Sequence, residues 1–483
     1  MFLRTKKGPL KVGLALCSCV TLFALAGCGP QATPAASGAA SLAAAFPASW
    51  SMDAAGPEHN AAFAAPSGAP AGLLAGYSWR FAEIHAQPLK QLPPDADVAG
   101  RLRASVRTTQ SMGNALGVTA VGGIIYAESD SGAVYALNAA TGKQIWERTF
   151  PNEVMGNPVV EHGLVFIGMG NTNFSFRELM NYKSGQPVMR GTGMSGIFAL
   201  NAKTGKTVWQ RNTLSEDMPT PAYLQGTLFE ANGDGNVLAL TASTGKLLWK
   251  KHIGGFDSMS SPVAWVNPQT KQGEVVASFS NPDQVVALAA SDGKKLWTQT
   301  VKGSFDTGLS DEVPTVDPQA NVVVVNSVVN PKTVGGKLTT QLAVEALNGT
   351  TGQVLWYDQL GRGSMPPAFK AGVPMIHKGV IYMNAPATDT MHAIDLASGH
   401  VLWGFKSKFP GRAAPTYYRG TLYFADGPFI YALNPASGHL IHQFKAGGLF
   451  GIVNPVIVGG TVYMDSSYDW VMAIPLKKIN PQA

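Results

Sequence analysis

Hydrophobic positions along the chain recur in blocks separated by polar, glycine-containing turns, and the blocks repeat. VYALNAATGKQIW ends at Trp146, IFALNAKTGKTVW at Trp209, VLALTASTGKLLW at Trp249, VVALAASDGKKLW at Trp297, AVEALNGTTGQVLW at Trp356 and MHAIDLASGHVLW at Trp403. A seventh block, IYALNPASGHLIH, ends at His442, and an eighth is cut short at WVMAI. A period of about 40 to 60 residues built of short β-rich runs is the signature of a propeller. In each unit a glycine such as Gly142 supplies the positive φ of a tight turn. The tryptophan that follows offers a large apolar face to wedge between neighbouring blades. Eight units predict an all-β, eight-bladed β-propeller with four strands per blade around a central channel. The last unit ends in PLKKINPQA without a fourth strand, whereas YSWRFAEI, residues 77–84, precedes the first full unit and alternates suitably. That N-terminal segment is expected to close the ring as the outer strand of the last blade, making residues 77–483 one domain.

Ahead of the repeats the pattern changes twice. Arg4, Lys6, Lys7 and Lys11 precede an apolar run from Val12 to Ala26. A run of this length is short for a membrane span and reads as a secretory signal peptide, residues 1–27. Leu25-Ala26-Gly27-Cys28 looks like a bacterial lipobox with Cys28 as the acylated first mature residue; plain cleavage after Ala26 is the alternative. Either way the chain is expected to be exported, to the periplasm or the outer membrane. Cys17 and Cys19 leave with the signal, so the mature chain forms no internal disulfide. Residues 28–76 are mostly Ala, Gly, Pro and Ser and read as a tether. Within it Trp50, Met52, His59 and Phe63 are apolar or aromatic enough to pack onto the domain.

Charged residues make up 14% of the chain, against about 25% in ordinary globular domains. The formal net charge of +6 falls to +2 once the four basic residues of the signal are removed. A nearly neutral mature chain offers no electrostatic case for nucleic acid. Sparse charge also limits self-repulsion when carboxylates are protonated, which suits an acid-exposed compartment, although an ordinary Ala/Gly-rich secreted protein has the same composition.

Because the repeats hold blades together, function is sought where they differ. Aligned on the recurring Pro or Ala before each innermost strand, the connections put Met112, Met155, Met218, Met259, Asp311, Met365, Arg412 and Ile452 in one column. Asp311 and Arg412 then face a Met-lined throat about a quarter turn apart, a carboxylate and a guanidinium on an apolar concave wall. The competing reading is that Asp311 caps the turn before Pro314 and the methionines are channel packing. Glu312 points the other way if the strand has begun there. Two units carry insertions, residues 171–193 with Arg177, Tyr182, Lys183 and Arg190, and about residues 329–340 with Lys332 and Lys337. Arg190, between glycine-rich neighbours, is the candidate anion grip; Lys183, Lys332 and Lys337 read as solvated surface.

No Cys pair, closely spaced His ligands, G-x-S-x-G elbow or P-loop occurs in the mature chain, so zinc, common hydrolase and nucleotide chemistries are disfavoured. The repeats resemble those of pyrroloquinoline-quinone-type propellers over residues 77–474. Quinoprotein dehydrogenases bring a vicinal Cys pair and a calcium site, and the mature chain lacks the cysteines; no cofactor and no metal are expected. The outer-membrane barrel-assembly lipoprotein shares the propeller and a lipid anchor, and a scaffold without catalysis is the alternative reading. In length, in the MRGTG insertion, in low charge density and in an Asp of the fifth blade the chain most resembles the tetrathionate hydrolases of acidophilic sulfur oxidisers. That resemblance implies hydrolysis of tetrathionate, a small sulfur oxyanion, to thiosulfate, sulfate and sulfur species, with Asp311 as catalytic acid or base. An Asp suits an acidic medium in which His would be protonated. Arg412 and Arg190 would bind sulfonates, with Met112, Met155, Met218, Met259 and Met365 as the apolar wall of the substrate site, since a thioether can contact a sulfur-rich ligand. Envelope association through Cys28 and a homodimer are left open as further associations.

Overall fold

A computed structural model describes residues 62–63, 78–82 and 117–483, apart from residues 130, 307, 367–369, 451 and 467–469. The predicted signal, the Cys28 anchor and Met112 lie outside the described residues. Eight antiparallel sheets follow one another in chain order, as the repeats require. Blade 1 is Val118–Val121, Ile124–Glu128, Ala133–Asn138 and Gln144–Thr149, and the later blades repeat that meander. The innermost strands of blades 2 to 8 are Val159–Glu161, Ala222–Leu224, Val263–Val266, Thr315–Asp317, Met375–His377, Thr416–Tyr418 and Val456–Val458. In blade 7 the run Thr421–Leu433 bends back at Gly427, φ +51°, so that Phe424 and Tyr431 stack at 4.7 Å.

The recurring Ala-Leu, glycine and tryptophan of the repeats form one device. Within each blade the tryptophan pairs across the strand with the motif's alanine, Trp146 with Ala136 and Trp297 with Ala287, for example. Only a small residue opposite the indole lets it turn outward to the next blade. There its Nε1 donates to a backbone carbonyl: Trp79 to Ala139, Trp146 to Ala202, Trp209 to Ala242, Trp249 to Ala290, Trp297 to Gly349, Trp356 to Leu396 and Trp403 to Pro435, all at 2.7–2.9 Å. The same indole covers the turn glycine of that next blade. A Cβ built on Gly245 (φ +67°) would lie 2.6 Å from the Trp209 ring, and Gly142, Gly205, Gly293, Gly352, Gly399 and Gly438 meet their indoles as closely. Glycine is therefore required twice over, by its φ and by the ring above it.

His442 takes the tryptophan's place in blade 7, pairing with Ala432, and its Nδ1 lies 3.0 Å from the Ile479 carbonyl at the C-terminal helix Leu476–Ile479. Trp79–Ala82 pairs antiparallel with Trp470–Pro475 as the fourth strand of blade 8, so the ring closes with the N-terminal strand as expected. Ala62–Phe63, inside the segment read as tether, adds a parallel strand beside Thr416–Tyr418, the innermost strand of blade 7. Nearer the channel, hydrogen bonds link three pairs of neighbouring blades: Thr119 Oγ1 donates to Pro158 O, Thr315 Oγ1 to Pro374 O and Thr416 Oγ1 to Pro455 O.

Trp297 is 6% exposed and belongs to the core cluster between blades 4 and 5. Its replacement by Ala removes packing and leaves the Gly349 carbonyl without its donor. The expected cost is about 3–5 kcal/mol, read as a lowered midpoint in urea unfolding followed by circular dichroism; a change within 0.5 kcal/mol would contradict the role assigned to the indole.

Candidate functional site

The connections between blades gather charged side chains on one side of the throat. Residues Gly308–Asp311 form one 3-10 turn, and Glu312 N–H donates to the Leu309 carbonyl, 3.1 Å. The strand begins only at Thr315. Glu312 therefore does not point away from Asp311, as strand alternation would require. Its side chain accepts a hydrogen bond from the Ala371 N–H, and it lies within electrostatic range of Asp311, Arg412 and Lys370.

Asp311 is 4% exposed. Its Oδ1 accepts from Lys370 Nζ at 2.7 Å, while Arg190 Nη1 stands 3.8 Å from Oδ2. Oδ2 makes no hydrogen bond among the described residues. Arg412, half-buried, donates from Nε to the Ala371 carbonyl at 3.3 Å and interacts electrostatically with Glu312 and Asp311. Residues 370–371 thus bridge the quarter turn between the two residues that the sequence column singled out.

Arg190 reaches this place because the blade 2 insertion folds back over the ring. Ser175 caps the helix Phe176–Lys183 by accepting from Glu178 N–H, and the Glu178 carboxylate accepts from Met189 N–H, 2.9 Å, which ties the returning chain to the helix. Tyr182 OH bonds Asp306 Oδ1 at 2.7 Å, and Asn281 Nδ2 bonds the Gln186 carbonyl at 3.3 Å, so the insertion reaches across to blades 4 and 5. Arg190 Nε donates to Thr172 O at 3.0 Å and lies 3.7 Å from Glu216, with its guanidinium over the rings of Phe174 and Phe256 at 5.3 and 5.6 Å. Arg177 and Lys183 are exposed, as are Lys332 and Lys337 on the second insertion, which is the projecting hairpin of Val322–Val334 and Lys337–Asn348.

The methionine column needs correction. The residue preceding the innermost strand of blade 6 is Pro374, whose carbonyl takes the same inter-blade bond as Pro158 and Pro455. The residue three before it, matching Asp311 before Pro314, is Ala371; Met365 lies earlier, packed against the core of blades 5 and 6 with its N–H on the Leu338 carbonyl. The longer connection into blade 6 hid this shift, because Ala368 imitates the recurring Pro or Ala. Of the remaining methionines Met218 is fully buried, Met259 is 5% exposed and Met155 is half-buried.

The sequence column missed the acids. Glu128, Glu216, Asp217, Glu230 and Asp257 are all buried on the connections and second strands of blades 1 to 4. Burial pushes the Glu128, Asp217 and Glu312 carboxyls up to about 8 and those of Glu216, Glu230 and Asp257 well above the usual range. Neighbouring carboxylates add to the rise, Asp217 acting on Glu230, and Asp311 on Glu216 and Asp257. Neither Glu230 oxygen has a hydrogen-bond partner among the described residues. Burial also lowers the Lys370 and Arg412 pKa values, against the pull of Asp311 and Glu312 respectively. The best sequence signal for the acids was position: Glu128 is the last residue of the otherwise apolar IIYAE strand and Glu230 the penultimate residue of TLFEA.

A quinone–calcium centre does not fit this donor set. The described chain contains no cysteine, and among the described residues no three His, Cys, Asp or Glu side chains converge as metal ligands. What the arrangement offers instead is an acid, Asp311, whose Oδ2 accepts no hydrogen bond among the described residues, flanked by Arg190, Lys370 and Arg412.

The family profile described as outer membrane protein assembly factor BamB matches residues 93–187, 193–342, 257–386 and 340–478. The chain is 40% identical over 446 residues to tetrathionate hydrolase of Acidithiobacillus ferrooxidans, covering 90% of this chain and 87% of the relative. It is 34% identical over 464 residues to tetrathionate hydrolase of Acidianus ambivalens, covering 90% and 85%. The crystal structure of BamB from Moraxella catarrhalis superposes with a TM-score of 0.51 at 17% identity, over 74% of this chain and 95% of that one, a likeness of fold.

The buried acids give the fold a pH dependence of definite sign. A carboxyl whose folded pKa lies above its unfolded one, about 4, leaves stability intact below pH 4. Stability falls as pH rises toward the folded value, about 8 for Glu128. The thermal midpoint is expected to drop steadily from pH 4 to pH 8. At ~1.4 kcal/mol per pKa unit, Glu128→Gln should recover on the order of a few kcal/mol at pH 8 and almost none at pH 3. A midpoint that rises across this interval would refute the assignment.

Proposed function

The chain belongs to the PQQ-like-repeat propellers and, within them, to the tetrathionate hydrolase family, and from that premise we propose that it hydrolyses tetrathionate to thiosulfate, sulfate and sulfur in acid. The observation that carries this reading is Asp311, an almost buried carboxylate among three cations, with Oδ1 held by Lys370 and with Oδ2 facing Arg190 at 3.8 Å but accepting no hydrogen bond among the described residues. A general base must be ionised at the working pH and within reach of the proton it takes. At acid pH an aspartate meets the first condition where a histidine does not. Asp311 takes a proton from water, and the water oxygen forms its bond to a sulfonate sulfur as the adjoining S–S bond breaks, its electron pair leaving with the disulfane fragment. The −S–S–SO3− fragment then sheds its terminal sulfur, the S–S bond breaking with its electron pair on the thiosulfate that remains, and the balance closes without an oxidant: tetrathionate and water give thiosulfate, sulfate, sulfur and two protons.

Arg412 and Arg190 supply positive charge that acid does not remove. Arg190 already holds Thr172 O and faces Glu216 and Asp311, so its part is to position the acid and to counter the dianion's charge at short range. Arg412, half-buried and bonded through Nε alone to the Ala371 carbonyl, keeps its terminal nitrogens for a sulfonate. Met155 is the column methionine with exposed surface for the disulfane bridge. The buried acids support an acid working range. Ionised together they would cancel the three cations, whereas protonation leaves the throat attractive to an anion. Export, with a lipid anchor at Cys28, belongs to the same reading and places the site outside the cytoplasm.

Asp311→Asn is isosteric and keeps the turn. It is expected to lower kcat for thiosulfate release from tetrathionate by about 10²–10⁴-fold with an unchanged circular dichroism spectrum. Arg412→Gln is expected to raise KM about tenfold, the weight of one charge-assisted hydrogen bond. Retention of full activity by Asp311→Asn would remove Asp311 as the base, whereas a wild type that releases no thiosulfate would return the protein to the scaffold reading.

A further inference from the structure

Lys370 is absent from the sequence column, yet it makes the shortest ion pair among the described residues. Its side chain is 15% exposed, against 1% for the Asp311 carboxylate it bonds. The connection that carries it is pinned directly after the lysine. Ala371 N–H binds Glu312, and Ala371 O accepts from Arg412 at 3.3 Å. Gly372 O accepts from Asn326, and Val373 N–H donates to Arg412 O at 2.8 Å. A Cβ at Gly372 would fall 2.0 Å from the Asn384 carbonyl, so this backbone lies flat against blade 6 and has no room for a side chain. The lysine stem therefore starts from a fixed platform, and its ammonium meets a single described carboxylate oxygen at bonding distance, Oδ1 of Asp311.

Resting on the reading of Asp311 as general base, we propose that Lys370 is a positioning residue that anchors Asp311 through Oδ1 and so assigns Oδ2 as the oxygen that exchanges the proton with water. The two carboxylate oxygens are otherwise equivalent and free to swap by rotation about the Cβ–Cγ bond. A charge-assisted bond of 2.7 Å to one of them breaks that equivalence. Arg190, at 3.8 Å from Oδ2 and without a hydrogen bond to it, stabilises the ionised form and leaves that oxygen able to accept. The remaining charged groups in electrostatic range of Asp311 are Arg412, Glu312, Glu216 and Asp257. The three acids carry raised pKa values and are neutral in acid, so Lys370, Arg190 and Arg412 are what offset the desolvation of the buried carboxylate, and removing the lysine takes away its nearest cation.

The test follows kcat/KM for thiosulfate release from tetrathionate against pH in the full-length wild type, Lys370→Met, Lys370→Arg and Asp311→Asn. In Lys370→Met the acid limb of the profile is expected to move to higher pH by about one unit or more, with kcat falling more than KM rises. Lys370→Arg keeps a cation at the same place, so its acid limb is expected to stay with the wild type, at a lower kcat from the altered geometry. An unmoved limb in Lys370→Met would make the residue merely structural and overturn the inference, as would a displaced limb in Lys370→Arg should the Met variant fail to fold. Activity of Asp311→Asn at the wild-type rate would instead remove the underlying reading of the base, so the two failures are distinguishable.

Discussion

The indole that crosses from one blade to the next is the contact on which the rest of this molecule depends. Each one does three things together: it buries a large apolar face, it satisfies a backbone carbonyl of the neighbouring blade, and it roofs a glycine turn that no other residue could occupy. Repeated from Trp79 to Trp403, it fixes the angle between successive sheets. Where the series breaks, at His442, the C-terminal helix supplies the carbonyl instead and the ring still closes. The N-terminal strand contributes Trp79 to that closure, so the two ends of the domain meet in blade 8.

A ring fastened at its periphery leaves its inner connections free to differ. The connection into blade 5 turns through a 3-10 turn and presents two acids; the connection into blade 6 is longer and brings a lysine; the connection into blade 7 brings an arginine. An insertion from blade 2 supplies the fourth charged element, and its helix is held by its own cap and by bonds to blades 4 and 5. Cations and acids buried at such close quarters cannot all be ionised at small cost, since each desolvated charge needs a partner. The structure meets that cost by pairing Asp311 with Lys370 and Arg190 and by raising the pKa values of the surrounding carboxyls until they are neutral in acid. The charge at the throat is therefore set by the protonation state of its buried acids against a constant set of cations.

The propeller was legible from the chain because each blade is specified locally. Alternating apolar positions, an alanine opposite the tryptophan and a glycine at the turn lie within about fifteen residues of one another, and pseudo-symmetry repeats the message eight times. Asp311 and Arg412 were visible for the same reason, as departures from a repeated column, and Arg190 as a charged residue in an insertion. Lys370 was not. Its connection has extra residues whose Ala368 mimics the repeat, so the register slipped and Met365 stood where Ala371 belongs. The orientation of Glu312 was likewise hidden, because a 3-10 turn in place of an early strand is decided by what the Leu309 carbonyl and the Ala371 N–H find around them.

Sequence alone thus determined the architecture, the number of blades, the strand that closes the ring and the two odd members of the column, since all of these follow from short-range patterning. Tertiary structure decided which charges meet. Lys370 and Asp311 are 59 residues apart, and Arg190 reaches the same carboxylate from the insertion of blade 2. Whether such groups touch, and which carboxyls lose their charge by burial, depends on the path of irregular connections over a rigid frame, and no local periodicity encodes that path.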